Sequence, residues 1–220
     1  MGFNQVFYNS LHSPTELCSI GKKYGTDKSP FVKQMGCHSY TPFYNLLFSN
    51  IRYRPIIFGE IGIYKNASMK MWREYFPHAT LYGWDCKLEE NLDKKYEQDY
   101  VELAKNDNLN NVTYDYMNCR EETSINQAFE KTNTKFDVII DDASHKFWDQ
   151  IRVIRNAYEY LNPGGYLIVE DLGHRMYEYC NEIETYGHSR YYSNITHVRT
   201  CASDQKYGFD TDELLVLIKK

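Results

Sequence analysis

From Pro55 onward, short apolar runs alternate with stretches of helical character, and this rhythm restricts the fold more than any other feature of the 220-residue chain. The apolar runs are Pro55–Ile61, Thr80–Trp84, Val112–Tyr116, Phe136–Ile140 and Tyr166–Val169. Between them the spacing predicts helices near Ala67–Tyr75, Leu88–Ala104, Ser124–Lys131 and Phe147–Leu161. Short strands that are apolar throughout suit a parallel sheet covered on both faces. Strand–helix alternation then implies right-handed crossovers and a doubly wound α/β sheet. Two further runs, Asn194–Thr200 and Glu213–Lys219, read as an antiparallel hairpin. Added to five parallel strands, the hairpin completes a seven-stranded, mostly parallel, Rossmann-like sheet. Between Asp171 and Ser193 no element is read. Upstream, Ser13-Pro14-Thr15-Glu16 reads as a capping box with proline at the first helical position. That helix should stop at Gly25, and a second helical run covers Pro42–Phe48. The expected organisation is a small helical extension, residues 1–50, followed by an α/β domain, residues 51–220.

Composition narrows the partners. With 42% hydrophobic residues the chain can bury a core for one such domain. A formal net charge of −5 gives no global attraction to phosphate backbones, so no nucleic-acid partner is expected. No window approaches the roughly 18 apolar residues of a membrane helix, and the first residues show no secretory pattern. The six cysteines form no CxxC pair, so reduced thiols and a cytoplasmic location are expected.

In open α/β sheets the ligand sits at the carboxyl ends of the strands. The first strand ends in Phe58-Gly59-Glu60-Ile61-Gly62, which places a carboxylate at the tip and lets the backbone at Gly62 approach a ligand closely. The second ends at Asp85, an acidic residue about 20 positions past the glycine turn, where it can bond a ribose diol or cap the next helix. With no GxGxxG, S-adenosylmethionine is favoured over a dinucleotide. The fourth strand runs into Asp141-Asp142-Ala143-Ser144-His145 and the fifth into Glu170-Asp171. Tips of adjacent parallel strands lie only about 5 Å apart. Asp142, Glu170 and Asp171 should therefore converge, with Asp141 behind them. Carboxylates that close repel one another unless protonated or neutralised by a cation. Oxygen ligands favour Mg2+, with Mn2+ the alternative. His145 is placed to take the proton of a hydroxyl bound to that cation, with Asp141 the competing base. The bland alternative is that Asp141, Asp142 and Ser144 cap the next helix while Glu170 and Asp171 stay solvated.

These residues resemble the metal-dependent sugar O-methyltransferases of the macrocin and mycinamicin type. The resemblance rests on GTDK at Gly25–Lys28, His38-Ser39-Tyr40-Thr41-Pro42, EIG at Glu60–Gly62, MWREYFP at Met71–Pro77, YGWD at Tyr82–Asp85, IDDASH at Ile140–His145 and PGGYLIVEDL at Pro163–Leu172. It implies Asp142, Glu170 and Asp171 as metal ligands and His145 as general base. It also implies Glu60, Gly62 and Asp85 as cofactor contacts, to which Ser68 and Asp141 are added. It further implies that Asp27, His38 and Tyr40 belong to an active-site cover formed by the N-terminal extension. Where the family has glycines this chain reads Tyr64-Lys65-Asn66-Ala67. The function expected is methyl transfer from S-adenosylmethionine to a sugar hydroxyl. Methylation of a catechol-like phenol and a catalytically silent binding module are the alternatives, and a homo-oligomer is left open.

Overall fold

The computed structural model describes residues 3–10, 14–32, 38–87, 98–201 and 212–220. Five strands form a parallel block: β2 (Ile57–Ile61), β3 (Thr80–Asp85), β4 (Val112–Tyr116), β5 (Phe136–Asp141) and β6 (Leu161–Val169). The final strands, β7 (Tyr192–Cys201) and β8 (Asp212–Lys219), are antiparallel to each other, and β8 is antiparallel to β6. The sheet holds eight strands rather than seven, in the order β1-β7-β8-β6-β5-β2-β3-β4. The extra strand is β1 (Asn4–Asn9), which runs parallel to β7 along the sheet edge, Asn4 opposite Thr196. The first fifty residues are therefore not a purely helical extension. Five of the six β1 residues are exposed, so backbone pairing rather than side-chain burial defines this strand.

Helices α1 (Glu16–Tyr24), α2 (Tyr40–Phe48) and α3 (Ala67–Tyr75) contribute to the core on one face of the sheet. Helices α5 (Glu122–Thr132), α6 (Phe147–Ala157) and α7 (Met176–Thr185) contribute to the core on the other. Strand alternation feeds both layers: Phe58, Val138, Ile140 and Ile168 join the first core. Ile61, Ile139, Leu167 and Val169 join the second. The cap of α1 is Thr15, not Ser13, and Pro14 lies ahead of it; Thr15 Oγ1 accepts from Cys18 N at 3.4 Å. Gly25 ends the helix at φ +74°, the left-handed turn expected of it. Of the helix expected over Leu88–Ala104, residues 88–97 lie outside the described chain, and α4 (Tyr100–Lys105) follows. Helix α7 occupies the stretch read as structureless. Its buried side is narrow, Tyr179, Glu182 and Ile183, with Glu182 ion-paired to Arg155 of α6.

Candidate active site

Period-two alternation decides which carboxylates meet. Glu60 follows Phe58 by two, Asp142 follows Ile140 by two and Glu170 follows Ile168 by two, so all three continue the face that α1–α3 cover. Backbone pairing persists past the strand ends, with Asp142 N donating to Ile61 O at 2.8 Å and Glu170 N to Asp141 O at 2.9 Å. Asp141 belongs to the opposite face. Its Oδ1 accepts from Ala143 N at 3.3 Å and its Oδ2 is buried with no hydrogen-bond partner among the described residues. Burial lifts its pKa to about 7.

On the covered face a lysine from the N-terminal extension fills the crevice. Lys28 is buried, with Nζ 2.5 Å from Asp142 Oδ2, 2.6 Å from Glu170 Oε2 and 3.5 Å from Glu60 Oε1. Burial works against its charge, but Asp142, Glu170 and Glu60 outweigh that and hold its pKa well above the ordinary lysine range. Tyr44 Oη donates to Glu170 Oε1 at 2.6 Å. Ser68 Oγ and Trp72 Nε1 donate to Glu60 at 2.6 and 3.3 Å.

On the open side, Asp142 Oδ1 lies 3.1 Å from His145 Nε2 and Asp171 Oδ2 lies 3.4 Å from His145 Nδ1. Asp142, His145 and Asp171 each offer a ligand atom, all within 4.8 Å of one another. Glu170, expected in this set, turns instead toward Lys28 and Tyr44. Burial would strip the His145 proton, but its bond to Asp142 and the charges of Asp142 and Asp171 lift its pKa to about 9. His145 and Asp171 both sit at positive φ, +54° and +57°. For residues with a Cβ that geometry costs roughly 1–2 kcal/mol each and concentrates at functional sites.

The remaining expected residues divide. Tyr40 Oη donates to Asp171, and His38 Nδ1 lies 3.2 Å from Asp212 Oδ1 and 3.6 Å from Asp171 Oδ1. Asp27 is exposed, and its carbonyl accepts from His38 N. Asp85 receives Tyr64 N at 2.9 Å and Cys86 N at 2.8 Å, so it ties the loop after β2 to the tip of β3. Gly62, at φ +91°, is closely approached by protein: a Cβ there would stand 2.2 Å from the Asp142 carbonyl oxygen. Asn66 takes the left-handed conformation at φ +64°. Lys28, Tyr44 and Asp212 were not singled out by sequence reasoning. Lys28 lies within the GTDK motif, which is the one signal that could have marked it.

Fold and crevice together define a Rossmann-like methyltransferase architecture. The sequence relatives are sugar O-methyltransferases. The chain is 26% identical over 166 residues to the 8-demethyl-8-(2-methoxy-alpha-L-rhamnosyl)-tetracenomycin-C 3'-O-methyltransferase of Streptomyces olivaceus. It is 24% identical over 164 residues to the mycinamicin VI 2''-O-methyltransferase of Micromonospora griseorubida. These matches cover 72% and 71% of this chain but only 37% and 36% of the relatives, so the chain spans little over a third of their length. Among solved structures, MycE methyltransferase in complex with Mg, SAH and mycinamycin VI superimposes with a TM-score of 0.57 at 23% identity, over 73% of this chain and 38% of that one. An O-methyltransferase-like protein from Klebsiella pneumoniae superimposes at 0.55 and 15% identity, over 96% and 93% of the two chains. No protein-family model matches the chain.

Proposed function

We propose that this chain is an S-adenosylmethionine-dependent O-methyltransferase that uses a divalent cation to methylate a hydroxyl of a small-molecule sugar acceptor. The observation that carries the reading is the convergence of Asp142, His145 and Asp171 at the carboxyl edge of a methyltransferase sheet. The residues fit the groups this chemistry requires. The carboxylate oxygens of Asp142 and Asp171, within 4.8 Å of each other and of His145, suit Mg2+ or Mn2+. The buried Asp141 oxygen without a donor is suited to a polar group at the cofactor end of the sheet.

In this reading Asp142 and Asp171 hold the cation, and Glu170, whose oxygens bond Lys28 and Tyr44, stands behind them; the cation when bound would lower the pKa of an acceptor hydroxyl. Glu60, Gly62, Ser68, Asp85 and Asp141 shape the cofactor end. Glu60 and Ser68 act as a buried hydrogen-bonded pair, and Gly62 and Asp85 fix the loops after β2 and β3, which would hold the cofactor. His145, half exposed on the open side, receives the acceptor proton, and Asp171 and Asp142 orient its ring. His38 and Tyr40 hold Asp171 from the cover side, and the exposed Asp27 lies at the rim. Among the described residues no helix is long and apolar enough to cross a membrane, in keeping with a small-molecule acceptor. The test is mass spectrometry of products from a panel of nucleotide-deoxysugars and glycosides, with cofactor and with or without Mg2+. Mass gain of one methyl group on a sugar, only with metal, is expected. Gain on catechols alone would reassign the acceptor.

A further inference from the structure

Lys28 contacts both ends of the crevice, and its geometry suggests more than charge balance. Its ammonium has three N–H donors, and three carboxylates from three different strand tips surround it: Glu60, Asp142 and Glu170. Its own backbone is fixed, because the Lys28 carbonyl accepts from Tyr40 N and Thr41 N, both at 3.1 Å, at the start of α2. The stem has no freedom either, since the side chain is 1% exposed. A group so placed determines how its acceptors point. Asp142 gives Oδ2 to Lys28, which leaves Oδ1 facing His145 and the open side. Glu170 gives Oε2 to Lys28 and Oε1 to Tyr44, so both of its oxygens are held from the cover side.

We propose that Lys28 is a positioning residue of the divalent-cation site: it fixes Asp142 and Glu170 so that Asp142 Oδ1 faces the open side beside His145, where the ion would be held. The inference rests on the reading of Asp142 as a cation ligand. Two effects of Lys28 oppose each other, and their signs differ. As a bare positive charge within 3 Å of a ligand it repels a second cation. As a donor that orients ligand carboxylates it favours one, and loss of such outer partners commonly costs 10–100-fold in metal affinity. Orientation dominates here because without the ammonium the buried carboxylates of Glu60 and Glu170 and the partly buried one of Asp142 would repel one another, and the ligand set would disperse.

Calorimetric titration of Mn2+ alone into the full chain separates these cases. Wild-type protein should bind Mn2+, and Lys28→Met, which keeps the length of the stem, should bind it roughly 10–100-fold more weakly. Equal or tighter binding by Lys28→Met overturns the proposal and leaves Lys28 as a competing charge. Failure of the wild-type chain to bind Mn2+ removes the cation-site reading itself, and Lys28's role with it. If the variant does not fold, nitrogen-15 spectra of lysine-labelled wild-type protein decide the matter. A protected Lys28 ammonium resonance should move as Mg2+ is added, and a resonance unmoved at saturating Mg2+ overturns the proposal.

Discussion

His145 and Gly62 show how single positions shape this crevice. His145 must lose a proton before it can accept one. Because Asp142 and Asp171 raise its pKa to about 9, it is charged near neutral pH in the metal-free protein. Turnover should therefore rise with pH, and a bound cation would shift the rising limb to lower pH. His145→Ala should lower kcat by roughly 10²–10⁴-fold and erase that limb. A variant with wild-type kcat and an unchanged pH profile would place the base elsewhere, with Asp141 next in line. Gly62→Ala combines left-handed strain, about 1–3 kcal/mol, with a Cβ placed 2.2 Å from the Asp142 carbonyl. It should lower the urea midpoint and weaken Mn2+ binding together, since the backbone carrying Asp142 must retreat. Unchanged values for both would mean that the β2 and β5 tips are not in contact. Of the site, the acidic strand tips and His145 could be read from the chain because they directly follow apolar strands. Lys28 and Asp212 could not, for they arrive from segments 114 and 70 residues distant in sequence from Asp142.

Helices α2 and α3 owe their place to an aromatic layer. Trp72 of α3 meets Tyr44 and Phe48 of α2 and Phe58 of β2 at ring-centroid distances of 5.1–6.2 Å, and all four are fully buried. The layer fixes α2, and α2 carries Tyr44 to Glu170. Trp72→Ala should cost about 3–5 kcal/mol, read as a lowered urea midpoint, and should also remove a donor from Glu60. A loss under 1 kcal/mol would show that the cavity collapses without consequence for α2. The buried strands were readable as short, largely apolar runs, and the central helices as the stretches of helical spacing between them. Helix α7 escaped because its apolar stripe is short, with Tyr179 and Ile183 buried and Met176 partly so, and an ion pair completes the buried side. Strand β1 escaped because its side chains face solvent and its ladder partner lies 192 residues away, a pairing that leaves no local mark.

For the molecule as a whole, activity should vanish with EDTA and return with Mg2+ or Mn2+, while the fold, stabilised by two cores flanking the sheet, survives chelation. Full turnover in chelator would exclude the cation from the reaction. The β8 residue Asp212 has a wider consequence. It accepts from Ser39 N at 2.7 Å and meets His38 at 3.2 Å, so a strand far downstream in the sequence fastens the segment that carries Lys28, Tyr40 and Tyr44. Until β7 and β8 leave the ribosome, that segment has no anchor of this kind and β1 has no partner. A chain cut short before β8 would thus lose a sheet edge and, at the same stroke, the fastening of the crevice. The crevice can therefore be fastened only after β8 has joined the sheet.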